Sequence, residues 1–520
     1  MSQPNILVIQ ADQLTAKVLP MYGKPMVITP NLSRLAERGV TFANAYCNNP
    51  VCAPSRASML TGRMSSAVGA YDNAGEFPSA TPTIAHYLRR QGYRTCLSGK
   101  MHFIGADQLH GFEERVTTDI YPSDYGWTAD WTKTDEPYSP SRMSLRSIVE
   151  AGLCERNLQI DYDEHVAYHA QQWLFDWARD SDRRPFLLWA SFTHPHNPFI
   201  TTKEFWDLYE HAKIDLPRVP FIPFNERDPW SQRYALTIRA DEHDICEEHV
   251  RTARHAYYAM TSYFDSLVGR LLGVLDRIGQ TEQTIVFVIA DHGEMMGERG
   301  SWFKFQPFEW SVRVPMIASG PGVKRGHREE KAVSLLDLLP TFNDLASEGR
   351  GVVPIDPLDG ASLAGMLAGD NSAREDTTRI EFLGEGVCAP ACILVRDGFK
   401  YVHCRTDPPM LFDLKIDPDE LVNLAGTAAH AAREQAMHAE VHARWDYAGI
   451  ERDVLESQRR RLFAQEALLQ GRWTAWDFQP PNDASRQFVR GAVDPNTTAT
   501  KAKRRFPFVP AVPPDHPRQR

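Results

Sequence analysis

The chain has 520 residues, of which 42% are hydrophobic, and a mean hydropathy of −0.40, the make-up of a soluble globular protein able to build one large domain and a smaller one. Its 57 basic and 67 acidic residues give a formal charge of −10, and the basic ones are dispersed rather than striped, which argues against nucleic acid as a partner. No apolar run approaches the roughly 20 residues that cross a bilayer, so no membrane partner is expected, and the eight cysteines at irregular spacings form neither a disulfide framework nor a paired zinc set, which fits a reducing cytoplasm.

The first apolar run, "NILVIQ", has no charged leader and no small-residue cleavage site behind it, so it reads as a buried strand rather than a signal peptide. "PNLSRLAERG" follows with a proline start and a glycine stop, as a helix does. The alternation then repeats: "TIAHYLRRQG" before "YRTCLSG", "EHVAYHAQQWLFDWARD" before "FLLWASF", and "YFDSLVGRLLGVLDRIG" before "QTIVFVIAD". Helix followed by buried strand, three times over after the first strand and helix, predicts an α/β fold with a large, mostly parallel central sheet flanked by helices. After "LLDLLPTFNDLA" the texture changes to short β-like pieces, "CILVRDGFKYVH" and "LFDL", and then to one long polar helix from about Thr427 to Gln470. The expected organisation is therefore a catalytic domain over residues 1–375, a smaller α+β subdomain over 376–472, and an aperiodic extension over 473–520.

In an open α/β sheet, ligand chemistry collects beyond the carboxyl ends of the strands. The residues standing there are Asp12 and Gln13 after the first strand, Lys100 and His102 after "YRTCLSG", His194 and His196 after "FLLWASF", and Asp291 and His292 after "QTIVFVIA". Any one of these could be a cap or a loop residue, but four strand ends delivering carboxylates, imidazoles and a lysine to one rim suggest a site. Oxygen donors from Asp12, Gln13 and Asp291 suit a hard divalent cation such as calcium or magnesium, and His292 also admits manganese.

The stretch "NPVCAPSRASMLTGR" places Cys52 at the head of Ala-Pro-Ser-Arg and a following helix. It resembles the signature of the formylglycine-dependent (type I) sulfatases of the alkaline phosphatase superfamily, and "ADQ", "GKMH", "PHNPF", "DHGEMMGERG" and "LFDLKIDPDELVNLA" extend the resemblance over most of the chain. It implies that a formylglycine-generating or other sulfatase-maturing enzyme converts Cys52 to Cα-formylglycine. The chemistry explains the need for an aldehyde: attack by a plain hydroxyl would leave a sulfate ester as inert as the substrate, whereas one hydroxyl of an aldehyde hydrate attacks sulfur and the other expels sulfate by collapsing to the carbonyl. The same resemblance implies one divalent metal, most often calcium, on Asp12, Gln13, Cys52, Asp291 and His292, with Arg56 holding the hydrate. Lys100 and Lys304 would neutralise the sulfate, His196 or Lys304 would protonate the leaving alcohol, and His102 would take the proton as the hemiacetal collapses. Asn73 is a further candidate for the sulfate, though an Asx turn explains it equally well, and His194 reads as structural.

Within the sulfatases the segments "YDNAGEF", "GADQLHGFEERVTTDIYPSDYGWTADW", "KEFWDLYE" and "WDFQPPNDAS" are most similar to the choline sulfatases. A quaternary ammonium cannot donate hydrogen bonds, so its pocket needs an aromatic face and a carboxylate; the resemblance assigns these to Trp127 and Glu385. The chain departs from that pattern in lacking a histidine between Trp131 and Gly152, near Met143, and in having Asp494 where an aspartate is expected near Asn496. Three functions stay open at this point: a choline sulfatase; a related hydrolase of other sulfate esters, phosphonate monoesters or phosphodiesters; and a sulfate-ester binder with unmodified Cys52. The resemblance also implies a homo-oligomer, a tetramer, in which the extension carrying Trp473, Trp476 and Phe478 packs on a neighbouring subunit.

Overall fold

The computed structural model describes residues 3–133, 140, 143–347 and 351–472. The expected C-terminal arm, with Trp473, Trp476, Phe478 and Asp494, lies outside the described residues.

Eight strands form the central sheet: β1 (Asn5–Ala11), β2 (Val40–Phe42), β3 (Arg94–Gly99), β4 (Glu114–Arg115), β5 (Phe186–Ser191), β6 (Thr284–Ala290), β7 (Met316–Ser319) and β8 (His327–Glu329). Their order is β8-β2-β7-β6-β1-β5-β3-β4. β1 lies parallel between β5 and β6, while β7 runs against both of its neighbours. Every residue of β1, β5 and β6 is buried, because helices cover both faces, and this is why these strands read as unbroken apolar runs. Inside β1, the Gln10 side-chain oxygen accepts the indole N–H of Trp189 on the next strand, at 2.8 Å.

The helices that matter for the site are α1 (Pro30–Glu37), α2 (Cys52–Thr61), α3 (Ile84–Arg90), α4 (Leu158–Arg179) and α5 (Glu247–Arg277). Two begin earlier than their periodicity predicts. α4 starts at its true cap, Asn157, whose side chain accepts the Ile160 amide. α5 begins 16 residues upstream of "YFDSLVG" because the run from Ala253 to Asp265 is buried throughout, and a helix buried on all sides shows no amphipathic stripe.

The second sheet is antiparallel, with β9 (Thr377–Phe382), β10 (Ala391–Arg396), β11 (Phe399–Cys404) and β12 (Met410–Asp413) in chain order. β10 and β11 turn through Asp397 and Gly398, both at positive φ (53° and 84°), as the two-residue turn of a twisted hairpin requires. One face, through Ile393, Val395 and Val402, joins the main core; the other, through Cys392, Leu394 and Tyr401, packs on Met437, Val441 and Trp445. The long helix expected from about Thr427 to Gln470 is two helices, α6 (Ala431–Arg444) and α7 (Tyr447–Leu468). The break has a local cause: Trp445 is buried with its indole N–H on Glu381, at 3.2 Å, and Asp446 caps the second helix through the Gly449 amide, at 3.0 Å.

Candidate active site

Asp12 follows β1, Lys100 follows β3 and Asp291 follows β6, so three central strands bring their next residues to one buried point. Arg56, on the second turn of α2, ties the acids together: its Nε donates to Asp291 Oδ2 at 2.8 Å, its Nη2 to Asp12 Oδ2 at 3.3 Å, and its Nη1 to the Lys100 carbonyl and to Ser191 Oγ, the latter at 2.9 Å. The Lys100 ammonium binds Asp12 directly. Burial and the Cys52 sulfur pull the Asp12 carboxyl upward, but Lys100, His196 and Arg56 outweigh them and hold it well below the usual range.

Cys52 is the first residue of α2 and is fully buried. Its Sγ lies 3.1 Å from His292 Nε2 and 3.1 Å from the Lys304 ammonium. Burial alone would push the thiol up; Lys100, Lys304 and His292 reverse this and lower it well below its ordinary value. The α2 N-terminus is capped from outside the helix, by Asn73 Oδ1 accepting the Ala53 amide at 3.0 Å, so Asn73 positions the helix that carries Cys52.

Asp12, Cys52, Asp291 and His292 each offer a donor atom within 4.8 Å of the others, and all four are buried. His292 Nδ1 faces the Gly293 carbonyl at 3.1 Å, a contact that, when Nδ1 carries the proton, leaves Nε2 as a lone-pair donor toward the cluster. Two buried carboxylates beside an imidazole fit a divalent cation. Gln13 stands beside this group with different partners: its amide oxygen accepts from Lys304 at 2.9 Å, its amide nitrogen donates to Glu294 at 2.5 Å, and its backbone N–H donates to Asp291 Oδ1 at 3.1 Å.

On the outer side, the Lys304 ammonium also meets His196 Nε2 at 3.0 Å. Burial and then Lys304 depress the His196 imidazole, keeping it neutral. Its Nδ1 contacts the Asn197 carbonyl at 2.6 Å and the Tyr121 hydroxyl at 3.2 Å. The Tyr121 ring receives the Lys100 ammonium at 4.3 Å and borders both His102 and Trp127 at 5.6 Å, while Trp127 meets His102 edge-on at 5.5 Å. Both ring nitrogens of His102 are buried without a hydrogen bond. Glu385 is buried on the loop after β9, next to Gly384, whose carbonyl takes the indole N–H of Trp131 at 3.0 Å. His194 is structural, as expected: its Nδ1 lies 2.7 Å from Asp163.

Three residues here were not singled out from the sequence. Tyr121 lies six residues before Trp127 in the aromatic run already noted, and only the fold shows its ring between Lys100 and His102. Asp119 accepts the amides of Met101 and His102, at 2.9 and 2.5 Å, and so shapes the turn after β3. Glu294, inside "DHGEMMGERG", is pushed up to about 7 by burial and orients Gln13.

The family model described as Sulfatase matches residues 4–348. The chain belongs to the sulfatase family. Further models match this sulfatase at its C-terminal side: N-sulphoglucosamine sulphohydrolase, C-terminal, over residues 297–446, and choline sulfatase enzyme C terminal over residues 452–506. The sulfatase is 43% identical to the choline-sulfatase of Rhizobium meliloti (strain 1021) over 97% of this chain and 99% of that one. It is 28% identical to an arylsulfatase of Clostridium perfringens (strain 13 / Type A), covering 83% and 92% of the two chains. In structure it resembles the phosphonate monoester hydrolase of Agrobacterium radiobacter, with TM-score 0.69 and 23% identity, covering 85% of this chain and 95% of that one. The last likeness concerns the fold, and it agrees with the α/β architecture read from the sequence.

Proposed function

We propose that this sulfatase hydrolyses choline O-sulfate to choline and inorganic sulfate at the rim formed by Asp12, Cys52, Lys100, Asp291 and Lys304. The observation that carries the substrate is the 43% identity over 97% of the chain to a choline-sulfatase. The aromatic wall of Tyr121 and Trp127 beside His102 supports it, since a quaternary ammonium binds ring faces, with Glu385 as the carboxylate that completes the pocket.

Cys52, once converted to formylglycine, supplies a hydrated aldehyde as nucleophile, and a divalent cation, calcium in this reading with magnesium or manganese as alternatives, supplies Lewis acidity from a site on Asp12, Asp291 and His292, with Gln13 beside it. Arg56 keeps the two carboxylates in register. Lys100 and Lys304 bind the sulfate oxygens and offset charge as the S–O bond breaks. Neutral His196, in contact with Lys304, relays the proton that the leaving alkoxide takes up, and His102, with two unpartnered ring nitrogens, accepts the hydroxyl proton when sulfate is released. Asn73 holds the N-terminus of α2, whose amides face the bound anion. The reading includes a cytoplasmic homotetramer, a catalytic unit over 1–375 with a smaller one over 376–472, an arm from 473 onward reaching a neighbouring subunit, and a maturing enzyme that modifies Cys52.

The test is a panel of kcat/KM values on fully converted protein for choline sulfate, an aryl sulfate and a phosphonate monoester. Choline sulfate should lead by at least about tenfold, or 1.4 kcal/mol. A lead for either of the others would overturn the choline reading and favour a related hydrolase of the same superfamily; protein from a host with a maturing enzyme whose Cys52 stays unmodified by mass spectrometry, and which is inert on all three, would leave only binding.

A further inference from the structure

We propose that the C-terminal layer of this protein holds a second metal ion, a zinc-class divalent cation bound by His403, His438 and His442, with no part in ester hydrolysis.

His403 lies on β11, and His438 and His442 stand one helical turn apart on α6, the spacing that puts two side chains on one face of a helix. One ring nitrogen from each histidine lies within 4.8 Å of those of the other two. The ring centroids are 4.2 Å apart for His438 and His442, 4.8 Å for His403 and His442, and 5.2 Å for His403 and His438. Zinc–nitrogen bonds of about 2.0 to 2.1 Å in tetrahedral geometry would set these nitrogens about 3.3 Å apart, a closure that small turns of the two exposed helical imidazoles can provide.

The surroundings resemble those of a ligand set rather than of a packing cluster. The Tyr447 hydroxyl meets His403 Nδ1 at 2.9 Å, and the Tyr401 hydroxyl meets His438 Nδ1 at 3.0 Å. Each tyrosine oxygen can accept an Nδ1–H, which leaves Nε2 as a lone-pair donor and fixes the ring plane, as outer partners of metal-bound histidines do. Three imidazoles with a side open to solvent, where water would take the fourth position, select zinc, nickel or copper over calcium or magnesium. The cluster therefore has a different metal preference from the carboxylate-rich rim.

The location gives the ion a physical task. Of the 14 residues of α6 only Met437 and Val441 are buried, so the helix is thinly attached to the sheet beneath it. A cation shared by β11 and α6 would clip them together beside Tyr447, the first residue of α7.

The experiment uses the full chain, stripped with chelator and reloaded with calcium, then titrated with Zn2+ by calorimetry alongside His442→Gln and His438→Gln/His442→Gln. The wild type should take up one equivalent of zinc more than the double variant, His442→Gln should weaken that equivalent at least tenfold, and sulfate-ester turnover at saturating calcium should match among all three proteins. Equal zinc stoichiometry and affinity in wild type and double variant would overturn the proposal. A measurement on the wild type alone guards against a variant that misfolds: Cu2+ bound to the calcium-loaded protein should show EPR hyperfine coupling to three imidazole nitrogens. Coupling to fewer than three would overturn the proposal as well.

Discussion

The rim of the central sheet and the outer layer of the C-terminal sheet both gather charged and imidazole side chains, but in opposite ways. At the rim the groups come from residues as distant as Asp12 and Asp291, and they are fully buried and mutually bonded. In the outer layer His403, His438 and His442 come from one hairpin strand and the helix beside it, and two of the three are exposed. Charge buried in low dielectric must be paired at once, so the rim can be assembled only by the whole fold. A half-exposed cluster can form locally, and removing any member leaves the rest in water.

The most severe break in the rim is chemical. Asp291→Ala and Cys52→Ala should each lower kcat/KM for choline sulfate by at least about 10³-fold, or 4 kcal/mol, one by removing a carboxylate of the proposed cation site and the other the proposed nucleophile. Cys52→Ser should not restore turnover, and many turnovers at a near-normal rate in that variant would rule out an aldehyde mechanism.

Next in size is the joint between the regions. Arg461 of α7 reaches across to Asp72, at 2.6 and 3.0 Å, and to Thr128 Oγ1 at 3.2 Å, with both charged side chains nearly inaccessible (6% and 4% exposed). Arg461→Ala should cost about 3 kcal/mol in urea unfolding, because it strands a buried carboxylate. A loss below 1 kcal/mol would mean that the two regions are stabilised separately.

Trp127 tests the outer wall of the rim. Trp127→Ala should raise KM for choline sulfate by the equivalent of about 1 to 2 kcal/mol and affect a neutral alkyl sulfate less; equal losses would reduce Trp127 to a shape-filling role.

The smallest effect concerns pH and compares a fully buried histidine with the exposed cluster. His110 stacks on Phe77 at 4.0 Å, and burial lowers it to about 4 even with Asp107 beside it. Between that value and the ~6.5 of an unfolded histidine, the unfolded chain binds a proton that the folded chain refuses. Stability is therefore complete above this window and declines as pH falls through it. His110→Asn, an amide that tolerates the positive φ of 38° at this position, should reduce the stability difference between pH 7 and pH 5 by about 1 to 2 kcal/mol. An unchanged difference would show that the folded chain binds the His110 proton as readily as the unfolded one.

Much of the rim is legible in sequence because a buried parallel strand announces its own end: Asp12 and Asp291 each follow a largely apolar run, and Lys100 follows the strand "YRTCLSG" that a helix pattern precedes. Cys52 and Arg56 are legible for another reason, a short motif whose spacing fits one helical turn. What escapes is whatever depends on a partner remote in the chain. Asn73 reads equally as a turn residue until the Ala53 amide stands opposite it, Tyr121 is one aromatic among several until Lys100 lies over its ring, and Arg56 meets the acids rather than only the nucleophile. The α6–α7 break escapes because it is set by burial of Trp445 against Glu381, which helical periodicity does not register.

The bracket formed by α7 reaches beyond stability. Arg461 holds Asp72, next to the residue that caps α2, and Thr128, next to Trp127; Gln458, one turn earlier, takes the Trp131 amide at 2.9 Å. The backbone that carries Trp127 is thus set by a helix more than 300 residues away in sequence. If Trp127 reads the leaving group as proposed, substrate preference is not a transferable loop: grafting residues 119–131 onto a relative without its matching α7 would carry over the aromatic side chain without the scaffold that aims it, and selection for a new leaving group could act on Gln458 and Arg461 as readily as on the pocket itself.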